Sequence, residues 1–394
     1  MLLFAQRRKI LVRGLVRRRA SSATAPASAS ASASASASAP ATASASALSP
    51  APLPPPPPLP PPPPPASALD AALALEELDR DLYLQRLDAL WTPAGSRAVY
   101  GGQIIGSAML AAERSRTAAA FPLHSLHAYF LRPGVTSGPS ARPILYHVTR
   151  LRDGSSFETR SVTARQNGEA IFAATLSFHK LEADRTGGAV GHAASPPDVP
   201  PPEACAPLRA GTGLFPVEVR LVSATPSPLW PARAAAWFRC PALPPPSPAT
   251  AHLHRAAIAF ASDWGLGLTC LLPYGMRWGD PRLTMAASLD HSLYFHDTLD
   301  GAGAVPAPAQ PSSLSAAAAA VNAPRIVRHA SAPRVPASPA PPVRADDWLL
   351  VEFDSPAFRS SRGLNFSRMW TREGTLILSA VQESLVRVAS PAGT

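Results

Sequence analysis

SSFETRSVTARQNGEAIFAATLSFHKL, from Ser155 to Leu181, and RGLNFSRMWTREGTLILSAVQESLVRV, from Arg362 to Val388, state one pattern twice. In each, apolar and polar residues alternate with period two on both sides of a tight turn, Asn167-Gly168 in the first and Glu373-Gly374 in the second. Alternation sends every second side chain to one face, so each stretch predicts a hairpin with one face buried. Similarity repeated along a chain sets the architecture: two copies of one small domain, related by a pseudo-twofold, with the chemistry to be sought in the cleft between them.

Working outward from the first copy, Val99–Arg116 (VYGGQIIGSAMLAAERSR) reads as a helix entered through Gly101 and Gly102, with Ile104, Ala108 and Ala111 on one face. Strands are predicted at Leu123–Leu131, Ile144–Leu151, Phe157–Gln166 and Glu169–Lys180, with Asp153-Gly154 and Asn167-Gly168 as turns. One helix wrapped by an antiparallel sheet follows. The second copy keeps the order: extended Val217–Ser223 and Ala234–Arg239, a helix over Leu253–Leu266, a strand over Met285–Phe295, then Trp348–Phe353 and the hairpin already quoted. Between the last two strands before that hairpin, Gly301–Pro342 is Pro/Ala/Ser-rich without strand or helical period, and reads as a disordered insertion or as a gene-model error. Upstream of the first copy, Leu69–Leu90 has Leu75, Leu78 and Leu82 at helical spacing and predicts a helix.

Of the chain's net charge of +10, seven positive charges lie in the first 66 residues, with no acidic residue before Asp70. Setting that segment aside leaves a net charge of only +3, and no basic run interleaved with aromatics remains, so a nucleic-acid partner is not expected. The segment itself is Arg-rich, then Ala/Ser-rich, then polyproline over Pro54–Pro65, interrupted only at Leu59. That composition fits an organelle leader followed by a semi-rigid spacer. A mitochondrial destination is expected from it, with plastid, cytosol or peroxisome as alternatives; the C-terminal Pro391-Ala392-Gly393-Thr394 is not a peroxisomal tripeptide. No run of about 18 apolar residues predicts a transmembrane segment. Cys205, Cys240 and Cys270 lack CxxC spacing, and the pairs His124/His127 and His252/His254 lack a third ligand nearby in sequence, so no metal site is expected. The expected organisation is a leader and linker over 1–66, an N-terminal domain over 67–185, a linker over 186–213, and a C-terminal domain over 214–390 carrying the insertion at 298–343.

Six local signatures then occur in order: VYGGQIIG at Val99, HSLHAYFLRPG at His124, LRDGSSFETRSVTARQNGEAIF at Leu151, AFASDWG at Ala259, SLDHSLYFH at Ser288 and TREGTLILSAVQESLVR at Thr371. Their order resembles the type II acyl-CoA thioesterases over roughly residues 69–296 and 344–390. The resemblance implies an α+β double hotdog fold, two tandem antiparallel sheets each wrapped around a central helix. It also implies hydrolysis of acyl-CoA to free acid and CoA without cofactor, metal or covalent intermediate. By the same resemblance Asp263, Ser288 and Gln382 carry the chemistry; some members have Thr in place of Ser288, which keeps the hydroxyl.

The residues give independent support. At helical spacing Asp263 shares a face with Ala256, Ala259 and Phe260, and on the last strand Gln382 alternates with Leu376, Leu378 and Ala380. A carboxylate and an amide on apolar faces each require partners, and a shared water meets that requirement. Asp263 is then expected to act as general base, with Ser288 and Gln382 aiming the water. Gly101 and Gly102 are candidates to meet the oxyanion, and Arg132 and Arg152 to meet CoA phosphates. Asp290-His291 is not expected to act as a dyad, because neighbours in a strand face opposite ways. Two other readings stay open: a non-catalytic acyl-CoA-binding or scaffold protein, and a hotdog enoyl-CoA hydratase. Leu268 stands against the latter, in the place where a hydratase carries His. Homo-oligomers through sheet edges are a further expectation.

Overall fold

The computed structural model describes residues 67–116, 121–180, 192–208, 216–222, 232–247, 249–296 and 344–389. The leader, parts of the 186–213 linker and the 298–343 insertion lie outside them. The described residues open with α1 (Ala68–Leu73), capped by the Ser67 hydroxyl on the Asp70 N–H. Next come β1 (Glu76–Asp79) and β2 (Leu82–Gln85), then α2 (Gly101–Arg114), β3 (Leu123–Phe130), β4 (Ile144–Asp153), β5 (Phe157–Gln166) and β6 (Glu169–His179). The helix expected over Leu69–Leu90 therefore stops at Leu73. Beyond it, Leu82-Tyr83-Leu84-Gln85 buries Tyr83 and Gln85 with period two, Asp81 takes the left-handed turn at φ 62°, and Leu78 is 51% exposed. Alternation outweighed the leucine spacing because β2 has β4 to pair with.

The second half runs β7 (Ala206–Pro207), β8 (Glu218–Leu221), β9 (Ala232–Arg239), α3 (Ala251–Ser262), β10 (Leu283–Ser288), β11 (Asp290–Phe295), β12 (Leu349–Arg359), β13 (Arg362–Thr371) and β14 (Leu376–Val388). Among the described residues these strands form one antiparallel sheet in the order β1-β2-β4-β5-β6-β3-β11-β14-β13-β12-β9-β8-β7, with β10 also paired to β14. The halves repeat one permutation: β2-β4-β5-β6-β3 around α2 answers β9-β12-β13-β14-β11 around α3. This is the double hotdog, refined in one respect. The two expected sheets are continuous, because β3 and β11 pair antiparallel with Leu126 opposite Leu293. Both free edges are blunt, an acidic Glu76-Glu77-Leu78-Asp79 strand at one end and a two-residue strand ending in Pro207 at the other, which disfavours edge pairing.

The repeated stretches are the β5–β6 and β13–β14 hairpins. Asn167 and Gly168 both take positive φ, as a two-residue primed turn demands, whereas only Gly374 does so in the second hairpin, closing a three-residue loop. The helix stretch Ala251–Tyr274 is apolar enough by length and composition to cross a membrane, but residues 254–262 are all buried against α2 and the sheet, as core. Gly265, at φ 72°, follows the end of α3 and leads into a 3₁₀ segment over Leu266–Tyr274.

The two helices touch through glycine. A Cβ on Gly106 would stand 3.3 Å from the Ala256 carbonyl, and one on Gly102 only 2.2 Å from that of Phe260. Tyr100, just before α2, donates its hydroxyl to the same Phe260 carbonyl at 2.9 Å and packs edge-on against the Phe260 ring. The start of α2 is thus locked to the end of α3.

Candidate active site

Asp263 caps the C-terminus of α3 with helical φ and ψ, one residue beyond the last helical position. Its side chain reaches the N-terminus of α2, where the Gly102 N–H donates to Oδ2 at 3.0 Å. The first N–H groups of a helix have no partner within it, and the helix dipole favours an anion there. One half of the fold therefore supplies the carboxylate and the other supplies its counter-dipole.

The second carboxylate oxygen faces the sheet. Oδ1 accepts from the Ser288 hydroxyl at 3.1 Å and from Gln382 Nε2 at 3.2 Å, and the same amide lies 2.5 Å from Ser288 Oγ. The three residues expected from the sequence thus meet within hydrogen-bond distance of one another. Gln382 is fully buried, in the inward-facing series Leu378, Ala380, Gln382, Ser384 and Val386 of β14.

Ser288 ends β10, and the single strand expected over Met285–Phe295 is broken just after it. Ser288 pairs with Ser384 while Ser292 pairs with Val381, so four steps along β10 and β11 answer three along β14. This is a β-bulge at Leu289-Asp290, a feature that re-aims side chains beside a site. Its consequence is that Ser288 and His291, which period two would send to opposite faces, both point inward at Gln382. The buried His291 holds Gln382 Oε1 at 3.0 Å through Nδ1 and Ser262 Oγ at 2.9 Å through Nε2. Burial pushes the His291 pKa below the ordinary histidine value, with the nearby Asp263 charge pulling the other way. Asp290 faces outward and accepts the Glu383 N–H, so the two neighbours indeed do not form a dyad.

Behind Gln382 a second polar set fixes the wall. Asn365 Oδ1 accepts the Cys270 N–H at 3.1 Å, its Nδ2 donates to Ser384 Oγ at 3.1 Å, and Ser384 donates to the Gly267 carbonyl at 2.7 Å. The 3₁₀ segment that follows Asp263 is thereby stitched to β13 and β14. A Cβ on Gly267 would stand 3.3 Å from Gln382 Nε2.

The remaining expected contacts are dispersed. The Gly102 N–H goes to Asp263, and a Cβ on Gly101 would meet Asp263 Oδ2 at 2.7 Å and the Phe130 ring at 2.9 Å. Arg132 lies two residues beyond Phe130, on the surface, paired with Glu169 at 3.2 Å. Arg152 stands elsewhere: its carbonyl accepts from Arg160, which also holds Ser115 at the far end of α2, a helix length of about 20 Å from Gly101. Cys205, Cys240 and Cys270 are buried free thiols, with Cys270 raised to about 11 by burial. Sequence reasoning set His291 aside as no dyad partner of Asp290, and missed Ser262, Tyr100 and Asn365. The bulge hid the inward turn of His291 beside Ser288, and only a break in the alternation of SLDHSLYF could have signalled it.

Compared with known proteins, residues 87–179 match the acyl-CoA thioesterase N-terminal domain, and residues 192–310 with 334–386 match the acyl-CoA thioesterase C-terminal domain. The chain is 30% identical over 349 residues to mouse acyl-coenzyme A thioesterase 8, covering 81% of this chain and 88% of that protein. It is 27% identical to acyl-CoA thioesterase 2 of Haemophilus influenzae, covering 80% and 95%. Among solved structures it is similar to the acyl-CoA thioesterase II TesB2 of Mycobacterium marinum, with a TM-score of 0.57 and 27% identity over 83% of this chain and 99% of that one.

Proposed function

Because the chain belongs to the acyl-CoA thioesterase family and is a thioester hydrolase acting on acyl-CoA, we propose that Asp263, Ser288 and Gln382 drive that hydrolysis by activating one water molecule against a fatty acyl-CoA. The observation that carries this reading is the mutual hydrogen bonding of the three side chains around Asp263 Oδ1, with Oδ2 anchored on Gly102. A water entering this group gives one hydrogen to Asp263, has the other accepted by Ser288 Oγ, and takes over the Gln382 amide hydrogen that pointed at Ser288 Oγ before it entered. Its remaining lone pair is then free for the thioester carbon. As the C–O bond forms, the water proton moves to the Asp263 carboxylate and the carbonyl oxygen becomes an oxyanion. Collapse breaks the C–S bond, and the thiolate of CoA takes the proton back from Asp263. General-base help of this kind is worth about 10²–10⁴ in rate.

Since the Gly102 N–H is engaged with Asp263, the positive end of α2 reaches the oxyanion through Gly101 in this reading. Arg132, on the same side of α2, is assigned to CoA phosphates; Arg152 is too far along α2 to join it. The test is a single turnover in ¹⁸O-labelled water. Direct attack by water puts label in the released acid and none in the peptide containing Asp263. Label in Asp263 would mean that the carboxylate attacks first, and would overturn the general-base role. The composition of residues 1–66 supports delivery to a mitochondrion. A fluorescent fusion of those residues is expected to concentrate there, and a diffuse signal refutes it.

A further inference from the structure

Gln382 presents two chemically opposite ends on one planar amide: Nε2 donates two hydrogens and Oε1 only accepts. The site uses both hydrogens, one toward Asp263 Oδ1 and one toward Ser288 Oγ. Rotating the amide by half a turn would set Oε1 against a carboxylate oxygen and remove both donors at once. Asp263 opposes that flip from one end, whereas Ser288, which can donate as well as accept, does not. The other end of the amide decides, and there the ring of His291 stands 3.0 Å from Oε1.

We propose that His291 is a positioning residue of this site: its Nδ1–H, donated to Gln382 Oε1, holds the amide in the one orientation that turns both Nε2 hydrogens toward Asp263 and Ser288. The proposal rests on the reading that these three groups activate the water. Three further observations support it. Gln382 and His291 have no exposed surface, so bulk solvent does not stand in for the bond between Oε1 and the ring. The ring is fixed from its far side, where Nε2 meets Ser262 Oγ at 2.9 Å, a hydroxyl that also lies 2.8 Å from the Ala259 carbonyl. Burial also favours the neutral ring; with its single proton on Nδ1, facing the Gln382 Oε1 acceptor, Nε2 shares the one Ser262 hydroxyl hydrogen with the Ala259 carbonyl.

Ser262 immediately precedes Asp263. The path Ser262, His291, Gln382, Asp263 therefore closes on itself through one peptide bond, joining the end of α3, the bulged strand and β14 into a ring of fixed register. Such support is what holds a reacting constellation within a fraction of an ångström.

Three substitutions separate the two ring nitrogens. His291→Asn places an amide N–H near the position of Nδ1, His291→Gln reaches toward Ser262 instead, and His291→Leu removes both bonds. Steady-state thiol release from an acyl-CoA is expected to give His291→Asn a kcat within about threefold of wild type, and His291→Gln and His291→Leu losses of about tenfold or more, with KM within about twofold throughout. In a Gln382→Ala background, His291→Gln is expected to add no further loss. Equal kcat for the Asn and Gln variants, or effects confined to KM, would overturn the proposal. Should His291→Leu fail to fold, the comparison of Asn with Gln still decides. Asp263→Asn measured alongside separates the two levels: if it retains wild-type kcat, the water-activation reading falls and this proposal with it. If it is inactive while the His291 variants do not divide as stated, only the positioning role falls.

Discussion

Gly102→Ala is a small change whose effect can be worked from the contact between the helices. The new Cβ would stand 2.2 Å from the Phe260 carbonyl oxygen and 2.5 Å from the Tyr100 ring. An ordinary C···O contact is about 3.3 Å, so α2 must retreat from α3 by about 1 Å. The Phe260 carbonyl is main chain, and the Tyr100 ring is held by its own bond to that carbonyl, so neither can give way cheaply. Overpacking of this kind costs about 1–3 kcal/mol, which lowers the melting temperature by at least about 2 °C in a fold of this size. The same movement lengthens the 3.0 Å bond from Gly102 N–H to Asp263 Oδ2 beyond hydrogen-bond range. A misplacement of about 1 Å at a reacting group costs about 10² in kcat. Thermal unfolding followed by circular dichroism and thiol release from an acyl-CoA measure the two effects separately. A variant that melts within about 1 °C of wild type and keeps kcat within about twofold would show that the helix junction neither packs nor positions as described.

Ser288→Ala removes a donor to Asp263 and is expected to lower kcat by about tenfold, while Ser288→Thr keeps the hydroxyl and most of the activity; equal kcat for the two would refute a role for the oxygen. Gly267→Ala presses on Gln382 Nε2 from 3.3 Å and is expected to lower kcat by about threefold to tenfold with KM unchanged, a loss that a rise in KM alone would contradict. His254 and His291 are both held below the ordinary histidine value of 6.5 by burial. As pH falls below that value the unfolded chain takes up protons that the fold refuses, so stability is full above it and is lost on acidification. The melting temperature is accordingly expected to fall between about pH 7 and pH 5, and a flat or rising profile would refute the assignment.

The fold was legible where alternation was long. Phe157–Gln166 and Arg362–Thr371 with their partner strands have ten or more residues of period two, enough to fix which face is buried and so to place Gln382 inward before any coordinates. Short segments were not legible. Leu75, Leu78 and Leu82 satisfy a helical spacing, yet the backbone there is a hairpin because β4 offers an edge to β2, a fact that no local window contains. Asp263 and Ser288 came from the family pattern, with helical spacing adding support only for Asp263, and their meeting point depends on three things that the sequence does not display. These are the close approach permitted by Gly102, the cap position of Asp263 beyond α3, and the bulge at Leu289-Asp290. The bulge also explains why His291 was not placed beside Ser288 and Gln382. A reader applying period two from Ser288 turns it to the outside, whereas one extra residue turns it onto Gln382.

Hydrolysis at this site depends on the carboxylate of Asp263. Asp263→Asn preserves size and can still meet Ser288 and Gln382, yet it cannot accept the water proton. Its kcat for acyl-CoA hydrolysis is expected to fall by at least about 10²-fold with the circular dichroism spectrum and melting curve retained. Turnover at the wild-type rate in that folded variant would contradict the mechanism.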